Sequence, residues 1–147
     1  MKILASFASL LALIGTFLLT ACGGSSSNTP RPLQIQFSPA APSVAANSSV
    51  QITANTTPNF LQNDAQATWS IVGESSECIQ APPTSACPSG TLQWEVTAYQ
   101  PLTVTYNAPS TPGTYQVSLQ AKIFDSAYPN KVDYQGAATV TVTVTAQ

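Results

Sequence analysis

The reactive side chains of this sequence are three cysteines, at positions 22, 78 and 87. Cys78 and Cys87 lie in the segment "GESSECIQAPPTSACPSG", and closing so small a loop would stabilise a fold by about 2.5 to 3 kcal/mol through loop-closure entropy. Cys22 is then the odd thiol, and an unpaired thiol in an oxidising compartment needs another fate. We therefore predict a Cys78–Cys87 disulfide that braces a proline-rich insertion, and a separate reaction at Cys22.

Carboxylates are the other groups that could do chemistry, because the chain contains no histidine. Without histidine it lacks the usual general base, the Ser-His and Cys-His nucleophile pairs and the commonest zinc ligand. A glycoside hydrolase would need two carboxyl groups about 5 to 9 Å apart. We interpret the acids as solvated charges and expect no enzyme, with a carboxylate hydrolase as the remote alternative. The candidates are Asp64, Glu74, Glu77, Glu95, Asp125 and Asp133.

Oxygen ligands of the kind that calcium takes occur in the segment "FDSAYPNKVD", which contains Asp125, Asn130 and Asp133. Their spacing does not match a calcium-binding loop, and Lys131 stands among the acids. We predict a plain hairpin turn here, and neither a metal nor a cofactor.

Aromatic rings offer a different function, since carbohydrate-binding modules on sandwich folds stack sugars against such rings. Trp94 alternates with Leu92 and Val96 and is expected in the core. The candidates for exposed glycan contacts are Tyr99, Tyr128 and Tyr134.

Residues 1–21 have the three parts of an export signal: a positive start, an apolar stretch from Ile3 to Leu19, and small residues before a cut. The end of this segment, Leu19-Thr20-Ala21-Cys22, resembles the lipobox of bacterial lipoproteins. The resemblance implies cleavage before Cys22, diacylglycerol on its thiol and, usually, acylation of the new amino terminus. Two or three acyl chains anchor a protein stably without spanning the membrane. An ordinary cleaved signal or an uncleaved anchor is the alternative.

Residues 22–32 are predicted to be a tether, flexible where it is rich in Gly and Ser and stiffer at Thr29-Pro30-Arg31-Pro32. Gly23 follows the cysteine, whereas aspartate at that position retains lipoproteins in the inner membrane of many Gram-negative bacteria. The resemblance therefore implies export to the outer membrane, on its surface or its periplasmic face.

From Leu33 onward apolar residues alternate with polar ones, which is the period of a strand with one buried face. Turn formers separate these runs, and no helical pattern appears. We predict that residues 33–147 form one all-β domain, an immunoglobulin-like antiparallel sandwich of about seven strands. The runs centre on Ile35, Ile52, Trp69, Trp94, Val104, Leu119 and Val142.

Two stretches of this domain, "ATWSIV" and "VTYNAPSTPGTYQVSLQAK" with the closing "ATVTVTV", resemble bacterial Ig-like domains of the group 2 type. Such sandwiches often bury a tryptophan, here Trp69, and carry a tyrosine corner, for which Tyr115 is in the right place. The family consists mainly of spacers and display modules of envelope and surface proteins, some of them adhesive. Its members usually occur as repeats, whereas this chain contains one copy.

The charge composition argues against a nucleic-acid partner, because four bases and a net charge of −2 cannot form a basic patch. We expect a non-catalytic, lipid-anchored envelope or surface module that contacts protein, with a glycan-binding module as the alternative. Loops on rigid scaffolds carry function, so the insertion is the predicted partner-contact region. Its candidate residues are Glu74, Glu77, Ile79 and Gln80.

Overall fold

A computed structural model describes residues 29–59, 65–80, 87–94 and 102–147. The predicted signal segment and most of the predicted tether lie outside these ranges, and so do the lipobox cysteine and several other residues singled out above. The residues outside these ranges include the lipobox cysteine, Cys22, and also Asp64, Glu95, Val96 and Tyr99.

The described residues form nine strands and one short 3₁₀ turn, Ser76–Cys78. Alternation of buried and exposed side chains along the longer strands is the reason that they lie in sheets with one face inward. The strands are β1 (Arg31–Pro32), β2 (Gln34–Ser38), β3 (Ser43–Ala45), β4 (Ser49–Thr57), β5 (Ala65–Ile71), β6 (Thr91–Gln93), β7 (Thr103–Asn107), β8 (Gly113–Asp125) and β9 (Tyr128–Thr145).

The strands make two sheets that pack face to face. One sheet has the order β1-β9-β8-β5, with β3 also paired to β9, and the other has the order β2-β4-β7-β6. The first part of the chain changes sheets twice, because β1 and β3 pair parallel to β9 while β2 between them pairs antiparallel to β4. The predicted all-β, Ig-like sandwich is confirmed.

The core lies between the sheets and is built from the inward residues of both. Trp69 on β5 is almost completely buried, and its ring centroid lies 5.9 Å from that of Phe37 on β2 in the other sheet. Ile52, Val117 and Leu119 are fully buried. These three belong to one apolar cluster to which both sheets contribute, so apolar packing holds the two sheets together.

The two ends of the sandwich are different. At the entry end the chain comes in at β1 and the β8–β9 hairpin turns at residues 126–127. At the far end lie the turn 46–48, the insertion between β5 and β6, and the segment 108–112. Strand β9 runs through the whole body, and its pairing with the thirteen residues of β8 gives it a length of roughly 40 Å at about 3.3 Å per residue.

Several boundaries differ from the sequence-based expectation. Sheet pairing begins at Arg31 rather than Leu33, and the strand expected over Leu92–Val96 is described only over Thr91–Gln93. The hairpin turn predicted within residues 124–133 lies at residues 126–127, and the turn formers Tyr128-Pro129-Asn130 belong instead to β9. The hairpin turns earlier because Asp125 Oδ1 accepts a hydrogen bond from the Ala127 amide at 2.9 Å, an Asx-type contact that closes the chain there.

Val117→Ala tests the burial of the core. We expect it to lower the free energy of unfolding by about 2 to 3 kcal/mol, because it removes two methyl groups from a fully buried site and leaves a cavity. Val72→Ala makes the same chemical change where half of the side chain is exposed, and we expect it to cost less than about 0.5 kcal/mol. Urea denaturation of both variants checks this, and equal losses would contradict the packing.

Candidate functional site

The insertion at the far end is closed by the predicted disulfide. Cys78 and Cys87 are bonded, with their Cα atoms 5.6 Å apart, and both side chains are buried. The first cysteine ends the 3₁₀ turn Ser76–Cys78, and the second precedes the turn that leads into β6. The bond therefore ties the two stems of the insertion to each other at the edge of the core.

Glu74 is a second tie within the insertion. Its Oε1 accepts a hydrogen bond from the Ser89 amide at 2.8 Å, and its Oε2 lies 3.6 Å from Cys78 Sγ. A carboxylate that accepts from a backbone amide forms a charge-assisted bond, which is stronger than a neutral one. The sequence offered Glu74 as a contact for a partner, but here its side chain holds the insertion in shape.

The stem after Cys87 sits directly on β7. The Tyr106 hydroxyl donates to the Ser89 carbonyl oxygen at 2.7 Å, and the Asn107 side-chain amide donates to Thr91 Oγ1 at 3.2 Å. Burial is the main cause that raises the pKa of Tyr106, so its hydroxyl keeps its proton and remains a donor. Gly90 lies between these contacts with φ of 93°, and a Cβ on it would clash with the Asn107 carbonyl oxygen.

The residues that follow Cys78 run alongside β6. Ile79 forms a parallel bridge with Leu92, and the Gln80 amide donates to the Leu92 carbonyl oxygen at 2.7 Å. Gln80 Nε2 also lies 3.4 Å from the Trp94 carbonyl oxygen. Of the four residues predicted to contact a partner, Glu74, Ile79 and Gln80 thus have intramolecular contacts, and Glu77 is exposed on the 3₁₀ turn.

A groove of about 460 Å³ opens beside the insertion. The Tyr115 hydroxyl donates to the Thr111 carbonyl oxygen at 2.9 Å, the geometry of a tyrosine corner, and so fixes the segment that forms one wall. The groove offers amide, hydroxyl and carbonyl groups without a charged side chain, which suits hydrogen bonding to a polar, uncharged surface. Its lining includes Asn47, Cys87, Pro88, Thr91, Asn107 and Ser110.

The aromatic candidates do not form a stacking platform within the described residues. Trp94 is half-buried and packs against the core, as its alternation predicted. Tyr134 has the Arg31 guanidinium carbon 4.3 Å from its ring centroid, which covers one face. Tyr128 is 66% exposed and lies at the entry end, and Tyr99 falls outside the described part.

Two ion pairs engage the acids of the entry end. Arg31 Nη2 pairs with Asp133 Oδ2, and Lys131 Nζ lies 3.6 Å from Asp125 Oδ2. The hydrogen bond from Arg31 is the main cause that lowers the pKa of Asp133. Its contribution to stability is therefore present above about pH 4 and is lost as the pH falls through the lowered pKa. Within the ranges described, no group of three or more potential metal ligands is found.

No family model matches this chain, and no curated protein matches it. Among the described residues, no helix is long and apolar enough to cross a membrane.

Sequence reasoning missed the internal role of Glu74 and the contact at Gly90. The segment Pro88-Ser89-Gly90 has the composition of a turn, and a glycine in a turn often adopts a backbone conformation that other residues avoid. No comparable signal marks Glu74, because its partner is a backbone amide fifteen positions along the chain.

Gly90→Ala tests whether the insertion is seated on β7 as described. We expect a loss of stability about 1 to 3 kcal/mol greater than that of Gly73→Ala, because both glycines have a positive φ but only Gly90 meets backbone. Gly73→Ala has open space and should cost about 1 to 2 kcal/mol from its backbone conformation. Thermal unfolding of the two oxidised proteins measures the difference, and similar losses would contradict the close approach at Gly90.

Proposed function

We propose that the protein is a non-catalytic, lipid-anchored module of the bacterial envelope that presents the far end of its sandwich to a protein partner. One observation carries this proposal: the chain enters the body at one end, and the braced insertion lies at the other. An anchor upstream of Thr29 would hold the entry end near a membrane and leave the far end directed away from it.

The dimensions of the body favour such a display role. Strand β9 alone spans roughly 40 Å from the hairpin to the far end. The lipobox resemblance puts the anchor at Cys22, only seven positions before Thr29. A short link and a long rigid body together would fix the height at which the far end stands.

The far end has features of a recognition surface. Its insertion is tied by the Cys78–Cys87 bond and by the Glu74 to Ser89 hydrogen bond, so its stems are ordered before any partner arrives. Preformed loops bind with a smaller entropy cost than loops that order on binding. The exposed Glu77 and the uncharged groove beside Cys87 are the groups that would meet a partner.

The anchor is tested by Cys22→Ser expressed in a Gram-negative host with labelled palmitate. We expect the unsubstituted chain to incorporate the label and fractionate with membranes, and Cys22→Ser to lose both properties because it lacks the thiol. Ser25→Ala, three positions on, is the control and should behave as the unsubstituted chain does. Label on Cys22→Ser, or none on the unsubstituted chain, would rule out the lipid anchor.

The display role is tested by placing a photo-crosslinking amino acid at Glu77 or at Thr68 in living cells. Both positions are exposed, but Thr68 lies half-way along β5 and Glu77 lies at the far end. We expect a discrete protein adduct from Glu77 and none from Thr68. Adducts of equal yield, no adduct at Glu77, or turnover of a substrate by the purified protein would contradict the proposal.

A further inference from the structure

The β8–β9 hairpin extends beyond the rest of the sandwich at the entry end. Strand β5 begins at Ala65, opposite Ile123, and β1 begins at Arg31, opposite Tyr134. Residues 124–133, which we call the arm, therefore have no neighbouring strand on either side within the described ranges. On its β8 side the arm projects past β1 by roughly 10 Å, at about 3.3 Å per residue.

The surface of the arm is apolar and aromatic at its tip. Tyr128 and Val72 are the large hydrophobic side chains with the greatest exposure among the described residues, and Tyr128 lies next to Ala127 and Pro129 at the turn. A shallow groove of about 620 Å³ runs from the tip to Pro30, where the chain comes in. The tip and the incoming chain are thus parts of one continuous surface.

Charge is distributed unevenly between the two ends. Among the described residues, Arg31, Lys122 and Lys131 lie at the entry end with two acids, Asp125 and Asp133, and these five side chains sum to +1. Each of these acids is also paired with a base. Glu74 and Glu77 give the far end −2 from the described residues. An anionic surface would therefore repel the far end more than the entry end.

We infer that the arm rests on the lipid headgroups of the membrane that anchors the protein, with Tyr128 in the interface. This inference deepens the proposed function and rests on its anchor at Cys22. Seven residues can span at most about 25 Å, so an anchored Cys22 keeps Thr29 within that height. A Gly- and Ser-rich tether of seven residues has an average reach of roughly 13 to 16 Å, and the arm takes up roughly 10 Å of that height, so the tip comes within a few ångströms of the surface. Tyrosine favours this interface because its ring is apolar and its hydroxyl is polar.

The arm then sets the orientation of the whole body. The anchor alone would allow the sandwich to tilt in any direction about the link. A second contact at the tip, on the same end of the body, restricts that tilt and keeps β9 directed away from the bilayer. The far end is thereby held outward by two attachments, one covalent and one interfacial.

The test compares Tyr128→Trp with Val72→Trp in the lipid-anchored protein, purified and inserted into vesicles of phosphatidylethanolamine and phosphatidylglycerol with brominated acyl chains. Both positions carry exposed hydrophobic side chains, but they lie at opposite ends of the body. We expect the indole introduced at position 128 to shift its emission to the blue and to be quenched. The indole at position 72 should show neither effect, once the emission of Trp69 and Trp94 is subtracted using the unsubstituted protein.

Three results would overturn the inference. Equal quenching at both positions would mean that the body lies flat or tumbles, and no quenching at position 128 would mean that the arm does not reach the lipid. Emission at position 128 that changes with the protein-to-lipid ratio, without quenching, would mean that the arm contacts a second copy of the chain.

A parallel experiment separates failure of this inference from failure of the anchor. The same two variants, beginning at residue 22 with Cys22→Ser and a histidine tag in place of the lipid, are bound to nickel-chelating lipid in brominated vesicles. Quenching confined to position 128 on these vesicles would support the arm contact. Absence of lipid on Cys22 of the natural protein, measured by mass analysis, would reject the anchor without affecting that result. If positions 128 and 72 show the same quenching with both the lipid-anchored and the nickel-bound proteins, the arm contact is rejected and the anchor is not.

Discussion

The pairing of β8 with β9 is the interaction on which the rest of this structure depends. It joins thirteen residue pairs from Gly113–Val144 to Asp125–Tyr128, and β9 also receives β1 near one end and β3 at the other. Strand β5 is held on the opposite side of β8 and carries Trp69 into the core. The hairpin therefore sets the long dimension of the body and determines which loops share an end.

Apolar packing holds the two sheets together, whereas the Cys78–Cys87 disulfide lies in the insertion. Ile52, Val117 and Leu119 fill the centre with apolar side chains, which supply the bulk of the stabilisation that a small domain needs. The disulfide instead fixes an insertion whose backbone would otherwise rely on a few hydrogen bonds, such as the one from the Ser89 amide to Glu74. Stability of the core and order of the far end are thus supplied by different interactions.

The sequence predicts the parts of this structure that follow a short period or a local rule. Alternation identified the core faces around Trp69 and Leu119, and the turn before Tyr115 pointed to the hydrogen bond that its hydroxyl makes. Irregular regions were less predictable. The pairing of β8 with β9 shifts register on both sides of Phe124, so alternation in the sequence does not show which residues face each other there. The hairpin turn consequently lies earlier than the turn-forming residues indicate. The hydrogen bond that Glu74 accepts was not predictable either, because an amide donor fifteen positions away leaves no periodic pattern in the sequence.

The double change of sheet by the first strands has a consequence for how the chain folds. Arg31 pairs with Asp133 across 102 positions of sequence, and β3 joins β9 over a similar separation. Contacts of such high contact order form slowly and only after the distant segment exists. A ribosome adds about 5 to 20 residues per second, so the sheet that contains β9 stays open until that strand has been made. Until then the chain lacks its closed sandwich, which is the condition in which a polypeptide can still be threaded through a narrow pore.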